Sequence, residues 1–306
     1  MLKKLFINIT LVLITVVILD NIVGRLLRHF YFTESSGLNY RTTYSLDSAK
    51  PQVLIIGSSR ANHHYIPAVF EAILNKTVYN SGRDGNGTFY QLALMKAVLK
   101  RYTPEMIIIE YSSVFTKGKE EYDQLSSLLP YYCSHPEIKP IIELRSPYER
   151  VKMLSEVYPF NSQLFTIAVG NLEMNKRRYK DYQGYVPLHN TWKHPLDSAA
   201  DTKDIPLDSL KVNAFTECLE LAKDKGVKVM VIFSPIFQKY NYNQQVSVCN
   251  KICSDHQIPF WDYSKDTSFI KKQNLFQDIL HLNEKGAILF SNAIANRLKE
   301  NIAANR

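Results

Sequence analysis

Ser59 closes the run Gly57-Ser58-Ser59, which follows the aliphatic stretch Val53 to Ile56 and precedes Arg60-Ala61-Asn62-His63-His64. A hydroxyl on the turn from a strand to a helix can stand exposed, and its backbone N–H can join an anion site. Near the other end of the chain lies Asp278-Ile279-Leu280-His281. A carboxylate three residues ahead of an imidazole can bond its Nδ1 on one turn, leaving Nε2 free to take a serine proton. Between them, Asn80-Ser81-Gly82 offers a glycine that lets a backbone N–H approach a developing oxyanion. Read alone, each run has a blander use: Gly-Ser-Ser is ordinary turn chemistry, and Asp-x-x-His an ordinary surface turn. Together they spell acyl transfer through a serine nucleophile.

The elements that must position them read as alternating strands and helices. Val53 to Ile56, Val78-Tyr79, Met106 to Ile109, Lys228 to Phe233 and Ile258 to Trp261 are short apolar runs of strand length. Helical spacing predicts helices over Pro67 to Leu74, from Thr88 as cap to about Arg101, over Leu210 to Lys225 before Gly226, over Gln244 to His256, and over Asn283 to Asn301. That alternation predicts a parallel sheet with right-handed crossovers in a three-layer α/β/α sandwich. In such sheets ligands bind at the carboxyl ends of the strands, which is where all three runs fall.

With those blocks in place, the chain resembles the SGNH (GDSL-like) hydrolases. Gly57-Ser58-Ser59 stands where that family has Gly-Asp-Ser, Gly82 where it has its second-block glycine, and Asp278-x-x-His281 where it has its terminal Asp-x-x-His. The resemblance covers roughly residues 51–113 and 211–302. It implies the flavodoxin-like fold of that family, Ser59 as nucleophile, His281 as base, Asp278 as its orienting acid, and the N–H groups of Ser59 and Gly82 in the oxyanion hole. It implies no cofactor and no metal.

Two positions depart from the family. The aspartate before the nucleophile is Ser58, as in variants that look like envelope acyl-transfer proteins. The third block, Gly-x-Asn-Asp in the family, is Glu110-Tyr111-Ser112-Ser113 here. An oxyanion donor of that kind contributes on the order of 3 kcal/mol, and Ser113 or Asn86 are the substitutes at hand. Arg60, His63 and His64 are candidates for binding an anionic substrate. Either histidine is also an alternative base, disfavoured because neither has an acid at orienting distance in sequence.

Other chemistries are excluded by pattern. Arg83 to Thr88 is glycine-rich, but no Gly-Lys-Ser/Thr follows, and no Gly-x-Ser-x-Gly elbow occurs. Cys249, Cys253 and His256 lack the second pair a zinc site requires; one face of a helix explains their spacing. The four cysteines, Cys133, Cys218, Cys249 and Cys253, are too sparse for a disulfide framework and do not settle the compartment. The net charge of +8 is spread along the chain, without the clustered footprint nucleic-acid binding needs.

At 306 residues the chain holds one large domain plus appendages. Lys3 and Lys4 precede Leu5 to Leu19, apolar apart from Asn8, Thr10 and Thr15. No small-x-small cleavage site follows, so an uncleaved anchor over residues 1–30 is expected, with Asp20 and Asn21 near the far interface of the roughly 20-residue span a membrane requires. Arg25 and Arg28 balance Lys3 and Lys4, leaving charge silent on orientation. A single N-terminal span with everything else behind it places the body outside the cytoplasm.

A polar linker is expected over 31–50, and a catalytic domain over 51–306 with a helical insertion at about 117–206. The insertion is rich in proline and tyrosine. Tyr179, Tyr182, Gly184, Tyr185, Pro187 and Trp192 would suit sugar stacking, though aromatics fill ordinary cores as well. The expected function is a serine-dependent ester hydrolase or O-acyltransferase acting on an acylated envelope carbohydrate or similar ester. The alternative is a catalytically inactive envelope protein of the same fold that binds glycan.

Overall fold

The computed structural model describes residues 1–111, 115–172, 182–194, 206–237 and 243–304. Its elements run α1 (Leu2–Phe32), α2 (Gly37–Asp47), β1 (Val53–Ile56), α3 (Ser59–His64), α4 (Pro67–Leu74), β2 (Val78–Asn80), α5 (Thr88–Arg101) and β3 (Met106–Glu110). There follow the short helices α6 (Glu120–Gln124), α7 (Lys139–Ile142), α8 (Glu149–Lys152) and α9 (Leu164–Asn171). The chain closes with α10 (Ser209–Asp224), β4 (Lys228–Phe233), α11 (Asn243–Asp255), β5 (Phe260–Asp262), α12 (Thr267–Ile270) and α13 (Glu284–Ala304).

The five strands form one wholly parallel sheet in the order β2-β1-β3-β4-β5. Every residue of β1 and β3 is buried, as expected of strands covered on both faces by helices. Side chains alternate across the sheet. Val53, Ile55, Met106, Ile108, Met230 and Ile232 face a core shared with Phe70 of α4 and Phe290, Ile294 and Leu298 of α13. Their neighbours Leu54, Ile56, Ile107 and Ile109 are equally buried on the opposite face. α4 packs on α13 and α5 on α10. The arrangement is an α/β/α sandwich, and full burial of each large side chain in it contributes roughly 1.5–3 kcal/mol.

Local sequence explains the boundaries. Pro67 takes the first position of α4, where its missing N–H costs nothing. Asp208 caps α10 by accepting the N–H of Leu210 at 3.0 Å, and Gly226 ends the same helical segment at φ +68°. Thr88, expected as the cap of α5, is instead its first residue, with Gly87 at the cap.

The chain divides into two compact units, one of residues 1–43 and 125–180, the other of 44–124 and 181–306. The stretch 117–206, expected as one insertion, is thus shared between them. The expected linker over 31–50 is largely the helix α2. Thr42 and Thr43 donate their hydroxyls to the carbonyls of Leu38 and Asn39 four residues back, a local bond compatible with the helix. Leu46 is fully buried, and Arg101 of α5 donates to the carbonyls of Ser45 and Leu46.

In the smaller unit, α1 continues 31 residues, well past the apolar run, and is long and apolar enough to cross a membrane. The insertion is attached to its carboxyl-terminal half. Asp20 accepts the hydroxyl of Ser155 at 2.5 Å and the N–H of Glu156 at 2.8 Å. Gly24 meets the Glu156 backbone so closely that a Cβ there would lie 2.4 Å from its carbonyl carbon. Tyr31 packs in a cluster with Tyr131 and Phe160.

Candidate active site

The site lies at the carboxyl edge of the sheet, where the chain leaves β1 towards β2 on one side while β3 lies on the other. This reversal of strand order is where open parallel sheets bind ligands. Gly57 makes the tight exit from β1 possible, because a Cβ on it would fall 2.6 Å from the Ala61 Cβ and 2.9 Å from the Glu110 Cβ. Ser59 then takes the first position of α3, where backbone N–H groups have no partner within the helix.

His281 arrives on a hairpin-like loop. Phe276 and Leu282 form an antiparallel bridge, and the Gln277 N–H donates to the His281 carbonyl at 2.8 Å. Outside the loop, the Trp192 N–H donates to Phe276 and the Phe237 N–H to Ile279. These bonds hold the Asp278 to His281 turn from both sides. Asp278 receives Nδ1 of His281 at 2.9 Å, together with the N–H groups of Leu280 and His281. The other ring nitrogen, Nε2, lies 2.7 Å from the Ser59 Oγ. A hydroxyl, an imidazole and a carboxylate are therefore linked in sequence, 222 positions apart between the first two.

Burial pushes the Asp278 carboxyl up, but the hydrogen bond and charge of His281 and the two backbone N–H groups outweigh it, leaving its pKa below the usual value. Asp278 is thus ionised at neutral pH and fixes the Nδ1–H tautomer of His281. In that tautomer Nε2 is an acceptor facing the serine hydroxyl. The arrangement can withdraw the Ser59 proton as the oxygen attacks a carbonyl.

Behind the triad lies a buried polar network. The ring of His64 is wholly enclosed; burial first, then the electrostatic influence of His281, Arg60 and His63, holds its pKa well below the usual histidine value. Its partners match a neutral ring: Nδ1–H donates to the Ser234 Oγ at 2.8 Å and Nε2 accepts the N–H of Leu282 at 2.9 Å. Ser234 passes the chain on, donating to Glu110 Oε1 at 2.8 Å. Glu110, the last residue of β3, also accepts the Tyr65 hydroxyl and pairs with Arg60 Nε at 3.5 Å. Burial raises the Glu110 pKa, while the Arg60 charge and the bonds from Tyr65 and Ser234 oppose that rise.

The remaining residues singled out from sequence are dispersed. Arg60 is interior: it donates to the Tyr111 carbonyl at 2.6 Å and lies over the Phe233 ring at 4.6 Å, so a role at the substrate-facing rim does not describe its position. His64, equally, is a core residue, and its neutral ring is committed at both nitrogens. His63 places Nδ1 at 2.6 Å from the Val186 carbonyl and Nε2 at 3.3 Å from Asp84, with its ring edge-on to His281 at 5.8 Å between centroids. Asn86 donates its side-chain amide to the Asp84 carbonyl at 3.1 Å. Ser113 lies outside the described residues, as does Tyr179.

Gly82 packs against the start of α3, where a Cβ would sit 2.4 Å from the Asn62 nitrogen. Its N–H donates to Asn80 Oδ1 at 2.9 Å, and the amide of Asn80 donates in turn to the carbonyls of Ala61 and Tyr65. Asn80 thus ties the end of β2 to the end of α3, a role not foreseen from sequence. Glu110, Tyr65 and Ser234 were also missed. The available signals were a carboxylate ending the otherwise apolar Met106 to Ile109 run and a serine directly after β4.

Cys249 and Cys253 are buried one turn apart on α11, and all four cysteines are free thiols. Burial pushes the Cys249 thiol well above its usual pKa, consistent with an inert core residue.

No known family model and no curated protein matches the chain. A solved structure from Streptococcus pneumonia, provisionally described as a platelet activating factor, is similar at 15% identity and a TM-score of 0.41. The likeness covers 91% of this chain and 99% of that one.

Proposed function

We propose that this chain is a serine-dependent ester hydrolase or O-acyltransferase of the SGNH type, held at a membrane by α1 with its body outside the cytoplasm. The observation that carries the reading is the continuous relay from Ser59 Oγ through His281 to Asp278, with distances of 2.7 and 2.9 Å. Hydrogen-bond reach between nucleophile and base is about 2.6–3.2 Å, so the relay needs no rearrangement to operate.

In this reading the Ser59 oxygen attacks the acyl carbonyl as its proton passes to His281 Nε2. The resulting imidazolium is stabilised by ionised Asp278. The carbonyl oxygen, now negative, is met by the Ser59 N–H at the start of α3, with the Gly82 N–H as a second donor once it exchanges Asn80 Oδ1 for the oxyanion. Collapse expels an alcohol that takes the proton from Nε2, leaving an acyl-serine. Water or a sugar hydroxyl, deprotonated by the same nitrogen, attacks the acyl carbon; the Ser59–acyl bond then breaks and the serine oxygen takes that proton back from Nε2. An acylated envelope carbohydrate is the substrate class that suits such a chain at a membrane surface. The altered third block motivates the rival reading of glycan binding without catalysis; an intact relay is what that reading leaves unexplained.

The test is labelling of Ser59 by a fluorophosphonate together with turnover of p-nitrophenyl acetate. Both are expected of the wild type and neither of Ser59→Ala; equal behaviour of the two proteins would remove the nucleophile and the proposal with it.

A further inference from the structure

Exposed apolar side chains are unevenly distributed between the units. Among the described residues of the larger unit, the exposed large hydrophobics are Tyr182, Leu210, Ile288 and Leu289, none more than half accessible. In the smaller unit, outside α1, Tyr148, Val151, Leu154, Leu164, Phe165 and Leu172 are all exposed, with Leu154 and Phe165 each at 82%. A soluble surface scatters such residues singly; a cluster of them marks a surface with a partner.

Their position along α1 identifies that partner. Ser155, Glu156 and Val157 are bonded to Asp20, so Leu154 sits beside the point where the apolar run of α1 ends. Lys152, Tyr158 and Asn161 line a groove of about 570 Å³ with Val16, Leu19 and Val23, residues of α1 on both sides of Asp20. The part of α1 below Asp20, Leu2 to Leu19, is exposed over about 27 Å of rise, close to the thickness of a bilayer's hydrocarbon core. α9 then packs along the upper part of α1, with Asn171 donating to the Phe30 carbonyl. Arg150 and Lys152, beside the apolar residues, are ion-paired within the unit to Glu143 and Glu149, each at 2.8 Å.

We propose that the smaller unit is a membrane-interface collar: the stretch from Val151 to Phe165 inserts into the lipid bilayer beside α1, making a second membrane contact in addition to the span. This rests on reading α1 as a membrane span. Its consequence is that α1 does not act as a free tether. The bonds to Asp20 and the close approach at Gly24 make span and collar one body, so the depth and tilt of the unit in the interface are set by both.

The test uses the full chain reconstituted in vesicles of phosphatidylcholine and phosphatidylglycerol brominated on their acyl chains, which quench nearby tryptophan. Tryptophan is introduced at Leu154→Trp, Phe165→Trp or Leu11→Trp, with the wild-type signal of Trp192 and Trp261 subtracted. The collar predicts that most of the added fluorescence is lost at positions 11, 154 and 165. Quenching at 11 with full fluorescence at 154 and 165 overturns the collar while leaving the span intact. Absence of quenching at 11 overturns the span, and the collar with it. Unquenched, blue-shifted emission at 154 and 165 that depends on protein density assigns the patch to a second protein copy and also overturns the proposal.

Discussion

His64 Nε2 accepts the backbone N–H of Leu282, the residue immediately after His281, across a separation of 218 positions. The acceptor exists only while the ring is neutral, which its complete burial enforces. The loop carrying His281 is therefore pinned to the helix that begins at Ser59 through a histidine that contacts neither the Ser59 hydroxyl nor Asp278. His64→Phe keeps the volume but orphans the Leu282 N–H, while Ser234 Oγ loses one partner and keeps Glu110. A buried unsatisfied group costs about 1–3 kcal/mol, so a lowered melting temperature and a reduced kcat at nearly unchanged KM are expected for p-nitrophenyl acetate.

The same ring sets an acid limit on stability. Its pKa in the folded state lies below the unfolded value, so the unfolded chain takes up a proton first as pH falls. Stability contributed by neutral His64 is complete above the unfolded pKa of about 6.5 and declines below it. Asp278, with its pKa depressed, adds a second loss at lower pH, beginning near the unfolded carboxylate value. Urea midpoints measured between about pH 7 and pH 5 are expected to fall for wild type and to fall less for His64→Phe; parallel curves would assign the acid sensitivity elsewhere.

Asp278→Asn replaces the ionised partner of His281 by an amide of the same shape. Comparable triads lose on the order of 10⁴-fold in kcat through the wrong imidazole tautomer. A loss of that order in ester turnover, with melting temperature little changed because the group is half-exposed, is the expected outcome. Activity that survives would make His63, edge-on to His281 and close to Asp84, the base to examine next.

Gly82→Ala places a methyl 2.4 Å from the Asn62 nitrogen and 2.8 Å from the Ala61 carbonyl carbon. Both are backbone atoms of α3, so the helix that begins at Ser59 must move. Overpacking of this kind costs about 1–3 kcal/mol. Thermal melting should report that loss, and fluorophosphonate labelling should slow, since the displaced helix carries the nucleophile.

Glu110→Gln removes the charge facing Arg60 while keeping the side chain's shape. Breaking one partner of a buried pair costs about 3–5 kcal/mol, because the remaining cation stays out of water. Denaturant unfolding is expected to show a large drop for this variant, exceeding that of His64→Phe.

Much of this architecture was legible in local pattern. Val53 to Ile56 and Met106 to Ile109 read as buried strands because a strand covered on both faces needs apolar residues throughout. Asp278 and His281 read as a pair because three residues of turn bring carboxylate and imidazole within bonding distance, and they are 2.9 Å apart. Such features depend on backbone geometry over a few residues, so the order of side chains determines them.

Other relations depended on where distant segments met. The bond between Ser59 and His281 exists because parallel pairing of β1 through β5 carries both loops to one edge of the sheet. The polar run Arg60 to His64 looks solvent-facing, yet Glu110, Ser234, Val186 and Leu282 arrive from other segments and enclose it. Residues 31–50 look like a linker by composition, but the buried face of α2 becomes visible only once Leu46 has a core to enter. Burial and pairing are properties of surroundings, and a one-dimensional pattern records each residue's chemistry without its neighbours in space.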